Sequence, residues 1–396
     1  MSDWLSGGIG PVSLAAGRAP GGDPDADIDV LAVGELVIDM VANGSGPLLT
    51  ATTFTRAPGG IPAHVAAGVA RLGRRAALLG LVGDDPFGRY LIGALETYGV
   101  DTTYIGVHPR GRTPVAFVSR KDPHAEAPDV VAGGGTVPEA QALFYREGGA
   151  DQLLSPEWVP AEAVARAQVV LGSGVSLAHA LPRAALHTAL GYAADMGTAV
   201  AFDVNWQPAL WQYPERARDL YHAVLPQVDI LMLSSQELIM LMGGAASTEA
   251  GRLDALLRVW VGRLAVGRTR PLLLALTRGP AGCTYGLWQP GGRGFEVVNL
   301  PACDIAVKDR SGAGAAFLAG LLVALLDRMA PQGDGAAVPQ GGERRLDLRR
   351  LTIGDVAEVF DWANASGALA TTRRGALAGL PGRSTVLRLI KGRRSG

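Results

Sequence analysis

The chain predicts an α/β fold: a doubly wound, mostly parallel sheet flanked by helices, with a small β-sheet lid. Three observations carry that prediction. Buried-strand runs alternate with amphipathic helices of about 10 to 15 residues, the pattern of βαβ units and a sheet covered on both faces. Two segments outside that series, about 42–57 and 103–122, alternate apolar and polar residues as half-exposed strands do. Late in the chain, Ser311-Gly312-Ala313-Gly314 runs straight into an apolar, helix-favouring stretch.

The strands are read at 28–40, interrupted by Gly34, then at 76–82, 167–171, 198–203, 230–233 and 271–277. Helices are read after the Pro58-Gly59-Gly60 turn and at 84–98, 184–196, 214–225, 253–264 and 353–371. A hairpin follows over 283–298 with a Gln289-Pro290-Gly291-Gly292 turn. The domain is expected over 28–390, after a flexible leader at 1–27 and before a basic tail at 391–396; a mobile Gly/Pro/Gln-rich insertion is expected at 331–343.

The small-residue loop matters chemically because a helix start leaves backbone N–H groups unpaired, and Gly312 and Gly314 let main chain approach a phosphate closely. The same sequence also serves as a plain cap or packing site, and the residues alone leave both readings open. In parallel sheets ligands bind beyond the carboxyl ends of the strands. Glu35, Asp39, Asp203, Asn205, Ser234 and Glu237 all fall at or just after such ends, so they are able to converge. Asp39 is either a surface-turn carboxylate or an acceptor for a polyol.

Composition narrows the classes. The formal net charge of −1 calls for neither a nucleic-acid nor a membrane partner, and the arginines near the C-terminus are spread over helix faces. No apolar run reaches the roughly 18 to 20 residues needed to cross a bilayer. Two cysteines, Cys283 and Cys303, make no disulfide framework and no metal spacing, which fits a reducing, cytoplasmic setting, and the acidic residues within 1–27 argue against a plastid-type transit segment. A dinucleotide fingerprint fails at 312–317, because Phe317 holds the third glycine position and the loop closes the α/β series instead of opening it.

The order of motifs resembles the ribokinase-like (PfkB) carbohydrate kinases, fructokinase-like branch, over 28–389. The points of likeness are GELVIDM, PGGIPAHVAAGVARLG with GLVGDDPFG, FYREGGAD, FDVNWQPALW, LSSQEL, LTRGPAG, DRSGAGAAF and NASGALATTRRGA. The resemblance implies ATP with Mg²⁺ and transfer of the γ-phosphoryl group to a sugar hydroxyl, a fructose-like ketose above others. It implies sugar contacts at Asp39, Gly59, Gly60 and His64, with Arg146 reaching the sugar or a phosphate from the lid side. Asp203 and Asn205 then belong to the phosphate and metal region, Glu237 to hydrated Mg²⁺, Thr277, Arg278 and Gly279 to the nucleotide, and Asn364 to the adenine. Gly312, Ala313 and Gly314 form the anion hole, Asp309 and Ser311 neighbour a K⁺ ion, and the lid pairs two copies into a homodimer.

The chain departs from that pattern where the chemistry is centred. The family's loop ends in an aspartate, the general base; here the position is Ala315, and a methyl accepts no proton. Loss of a positioned base lowers a rate by about 10² to 10⁴. Asp309, or water, is the substitute within reach. His64 stands for the usual Asn and Arg310 for a small hydroxyl residue. A designed knockout and a natural pseudokinase both explain Ala315, and the other two changes favour divergence. A weakened sugar kinase and a non-catalytic sugar- or nucleotide-binding scaffold, as among the plastid fructokinase-like proteins of transcription complexes, are therefore both expected readings.

Overall fold

The computed structural model describes residues 27–120, 142–243, 250–292, 295–330 and 345–395. Among them, thirteen strands run in chain order: β1 (Ile28–Val33), β2 (Val37–Ser45), β3 (Phe54–Gly59), β4 (Ala76–Gly83), β5 (Ile105–His108), β6 (Val115–Arg120), β7 (Ala142–Tyr145), β8 (Ala167–Ser173), β9 (Ala199–Asp203), β10 (Ile230–Ser234), β11 (Leu272–Thr277), β12 (Cys283–Trp288) and β13 (Glu296–Leu300). The helices are α1 (Ile61–Arg71), α2 (Pro86–Thr97), α3 (Ala161–Ala165), α4 (Ala180–Met196), α5 (Ala217–Val224), α6 (Ser235–Leu241), α7 (Ala250–Leu264), α8 (Ala313–Met329), α9 (Ile353–Ala370) and α10 (Arg383–Ser395).

Nine strands form the main sheet in the order β13-β12-β11-β10-β9-β8-β1-β4-β5. Pairing is parallel from β11 to β5 and antiparallel only at β12 and β13. Alternation along each strand divides the core in two. Val30, Ala32, Val169, Leu171, Leu273 and Ala275 face α1, α8 and α9, while Leu31, Val33, Val170, Leu272, Leu274 and Leu276 face α4, α5 and α7. Both faces are thus apolar, and the strands read as continuous hydrophobic runs.

The second sheet has the order β3-β2-β6-β7, with β2 and β6 parallel and the other pairs antiparallel. This corrects the expected lid of 42–57 and 103–122. The first half of the later segment is β5, which joins the main sheet beside β4, and only β6 belongs to the lid; 121–122 lie outside the described residues. The missing strands are β7 and the start of β2. Arg56 of β3 lies over the Tyr90 ring at 4.1 Å, and Asp85 both caps α2 and accepts from Thr113 N at 2.8 Å, so the small sheet is tied to the domain at its root. At the C-terminus, 391–395 continues α10 where a tail was expected. The leader, apart from Asp27, and the 331–343 insertion lie outside the described residues.

Candidate active site

Two clefts open at the carboxyl edge of the main sheet. The larger, about 480 Å³, is lined by Thr277, Gly279, Gly282, Arg310, Ala313, Gly314 and Asn364, with Ile305, Val307 and Phe317 supplying apolar wall. The smaller, about 210 Å³, holds Glu35, Asp39, Gly60, His64, Arg146, Asn205 and Gln207, with Val118, Ala142 and Phe144 reaching in from the small sheet.

The start of α8 borders the larger cleft. Gly312 is its N-cap at φ 76°, a left-handed conformation, and an added Cβ would stand 2.8 Å from the Ala376 Cα. Ala313 N is turned onto the Arg310 carbonyl at 3.3 Å. Among the described residues the next amides, those of Gly314 and Ala315, have no acceptor in the protein, and of the two only Gly314 lines the cleft. Ala315 itself has no exposed surface and lines neither cleft.

The glycine pair before α1 shapes the smaller cleft. Gly60 has φ 101°, and a side chain there would strike the Glu35 carbonyl; one on Gly59 would strike the Asp39 carboxyl. Glu35 Oε1 accepts from Ile61 N at 3.2 Å, and its Oε2 is buried without a partner. Burial pushes the Glu35 carboxyl up to about 7 against the pull of Arg146, and burial alone takes half-buried Asp39 to about 7. His64 Nε2 lies 2.8 Å from the Pro58 carbonyl, and burial keeps the ring below its usual pKa.

Folded Glu35 holds its proton more tightly than the unfolded chain does, so its contribution to stability is present below about pH 4.5 and is lost as pH rises through about 7. The melting temperature of the native chain minus that of Glu35→Gln should therefore fall between pH 5 and pH 8. A difference independent of pH would show that the carboxyl is not held neutral.

Arg146 is 6% exposed and bound through Nε and Nη2 to Asp151 Oδ2, the Nε bond at 2.8 Å. Arg146 still lines the smaller cleft, but its first partner is Asp151, a carboxylate five residues on that the sequence alone did not single out. Asp203 accepts from Asn205 N at 3.2 Å and is pushed well up by burial and by the Glu237 charge. Asn205, at φ 37°, is the one described non-glycine residue with positive φ, which aims its side chain at Ser173.

Glu237 closes a capping box with Ser234 at the start of α6 and also accepts from Trp206 N at 2.6 Å. The Ser234-to-Glu237 spacing carries that signal in sequence. Among the described residues no three His, Cys, Asp or Glu side chains group around a metal position. Asp309 is clamped: Oδ1 accepts from Ser311 N and Oδ2 from Gly375 N, each at 2.9 Å. Burial opposes its charge, but those two N–H groups prevail and hold it below the usual carboxylate range. It is therefore a loop fastener and a poor proton acceptor.

Thr277, Gly279 and Asn364 are brought together in the larger cleft, and Asn364 is anchored through Nδ2 to the Pro301 carbonyl at 2.7 Å. Arg278 is the correction. Its guanidinium folds back onto the carbonyls of Ala281 and Cys283, both at 3.4 Å, and does not line the cleft. Arg310, which stands where the family has a small hydroxyl residue, does line it. Both cysteines are free and buried, with Cys283 pushed up to about 12 by burial.

The large sheet with its small projecting one is the ribokinase-like fold, and solved structures agree. The fructokinase with bound ATP from Xylella fastidiosa superposes with a TM-score of 0.73 at 28% identity, over 92% of this chain and 99% of that one. The pfkB family carbohydrate kinase profile matches residues 27–383. Fructokinase-1 of Zea mays is 32% identical over 363 residues, 91% of this chain and 97% of its own length. Probable fructokinase-4 of Arabidopsis thaliana is 31% identical over 364 residues, 92% and 97% of the two chains. The chain belongs to the PfkB family of carbohydrate kinases.

Proposed function

We propose that the protein is an ATP-dependent sugar kinase whose proton-abstraction step is impaired by Ala315. The observation that carries the reading is the α8 start, where Gly314, its amide free, lines a cleft of about 480 Å³, while a polar, acid-lined cleft also opens at the carboxyl edge of the sheet. Phosphoryl transfer asks mainly for positioning and for donors aimed at the transferring group, and that amide supplies one. Asp39, Glu35, His64 and Arg146 hold the sugar, a fructose-like ketose by kinship with the maize and Arabidopsis enzymes. Thr277, Gly279 and Asn364 hold the nucleotide. Asp203, Asn205 and Glu237 orient Mg²⁺ waters, and bound Mg²⁺ neutralises phosphate charge. Asp309 and Ser311 shape the loop beside which K⁺ sits, and the lid pairs with a second copy. The setting is cytoplasmic.

Ala315 also favours a second reading, a binding protein without turnover. A coupled ADP-release assay over a sugar panel, with calorimetry for ATP and sugar, separates the two. The first expects sugar-dependent ADP release, lowered about 10²-fold by Gly312→Ala, which displaces the anion-binding amides. Binding of both ligands with no turnover would establish the second, and binding of neither would remove both.

A further inference from the structure

We infer that His64 is the proton acceptor for the attacking hydroxyl, doing from α1 what no side chain at position 315 is able to do from α8. The inference rests on the sugar-kinase reading above and deepens it.

Geometry comes first. His64 is 6% exposed and faces the smaller cleft. A backbone carbonyl only accepts, so the 2.8 Å contact with Pro58 O requires the hydrogen on Nε2. In the neutral ring Nδ1 then carries the lone pair. One nitrogen is anchored and fixes the tautomer, and the other is left as base.

Helix register supplies the location. Both α1 and α8 begin at the carboxyl edge of the main sheet: Gly60 lies against Glu35 just beyond β1, and Ala313 and Gly314 share a cleft with Thr277 at the end of β11. The two helices therefore run side by side in the same direction. They touch where a Cβ on Gly68 would lie 2.7 Å from the Ala319 Cβ. One helical turn back towards the shared edge from that contact is residue 64 on α1 and residue 315 on α8. Register thus sets His64 and the fully buried Ala315 level with each other on neighbouring helices.

The competing acids are placed less well. Asp309 is fastened to Ser311 and Gly375. Glu35 and Asp39 approach from the β1–β2 side, and Glu35 Oε1 already holds Ile61 N. The charged or titratable groups lining the cleft with His64 are Glu35, Asp39 and Arg146, while α8 carries no charged or titratable side chain before Asp327. Burial keeps the ring neutral near pH 7, ready to accept.

In the step, the sugar oxygen bonds to the γ-phosphorus of ATP as its proton passes to His64 Nδ1. The bond from the γ-phosphorus to the bridging oxygen breaks, and that electron pair leaves on ADP. The imidazolium then gives its proton to water. A positioned base of this kind is worth about 10² to 10⁴ in rate.

The test uses the full chain and sugar-dependent ADP release from pH 5 to pH 9. The native chain should turn over, with an acid limb below the usual histidine pKa that His64→Asn removes, while any limb from Glu35 and Asp39 near pH 7 stays in both chains. His64→Asn should lower kcat by about 10² or more with KM for ATP within twofold, and His64→Asn with Ala315→Asp should recover it. A structural role would instead move KM for ATP and the melting temperature together. His64→Asn keeping more than half of native kcat overturns the proposal. So does a native chain without turnover when Ala315→Asp alone phosphorylates sugar, a result that leaves the kinase reading standing. Failure of both chains to turn over or to bind ATP overturns both.

Discussion

Arg146→Ala should lose about 3 to 5 kcal/mol of stability in denaturant unfolding, the cost of stripping one partner from a buried ion pair. The side chains of Arg146 and Asp151 are 7% and 0% exposed, so water cannot rescue the carboxylate left behind. Asp151 Oδ1 already lacks a partner, which leaves Oδ2 and its guanidinium as the whole of the compensation. Asp151→Ala in the same chain should restore part of the loss, and the double-mutant cycle isolates the pair. Arg146→Lys should fall well short of native, because an ammonium cannot offer the two-pronged contact. Additive single losses would show the pair to be incidental. Removal of Arg146 should also raise the Glu35 pKa further, since the guanidinium is the main group opposing burial there.

That pair also marks where the sequence stopped being legible. The six inner strands could be read from composition alone, because strands buried on both faces are unbroken apolar runs. Alternating segments carry no such label. Residues 105–108 and 115–120 have the same half-exposed pattern, yet one pairs with β4 and the other with β2. Arginine is ambiguous for a related reason: a long flexible cation serves a ligand, a carboxylate or the nearest carbonyls equally well, so Arg146, Arg278 and Arg310 were separable only by where their backbones lie. α10 was hidden by its charge, since 391–395 reads as solvated tail until Val386 and Ile390 are seen packed in the core. Glycines were the most reliable guides, because close approach at Gly59, Gly60 and Gly312 is a backbone demand that no side chain satisfies.

Ala315→Asp, made together with His64→Asn, should raise kcat by about 10² to 10⁴ over His64→Asn alone, measured as sugar-dependent ADP release. Residue 315 is third in α8, where a carboxylate gains about 0.3 to 1 kcal/mol from the helix N-terminus, and more when partly buried. Against that stands a site with no exposed surface, where an under-bonded polar group costs about 1 to 3 kcal/mol. The substituted protein should therefore unfold at lower denaturant, and a sugar whose hydroxyl donates to the new carboxylate should return more stability to it than to the native chain. Asparagine at 64 is needed for a clean comparison, since an imidazole beside the new acid would share the proton and blur which group accepts it. A folded double variant that binds sugar and ATP yet gains no rate would place the missing step somewhere other than proton removal, and the anion hole would be the next place to look.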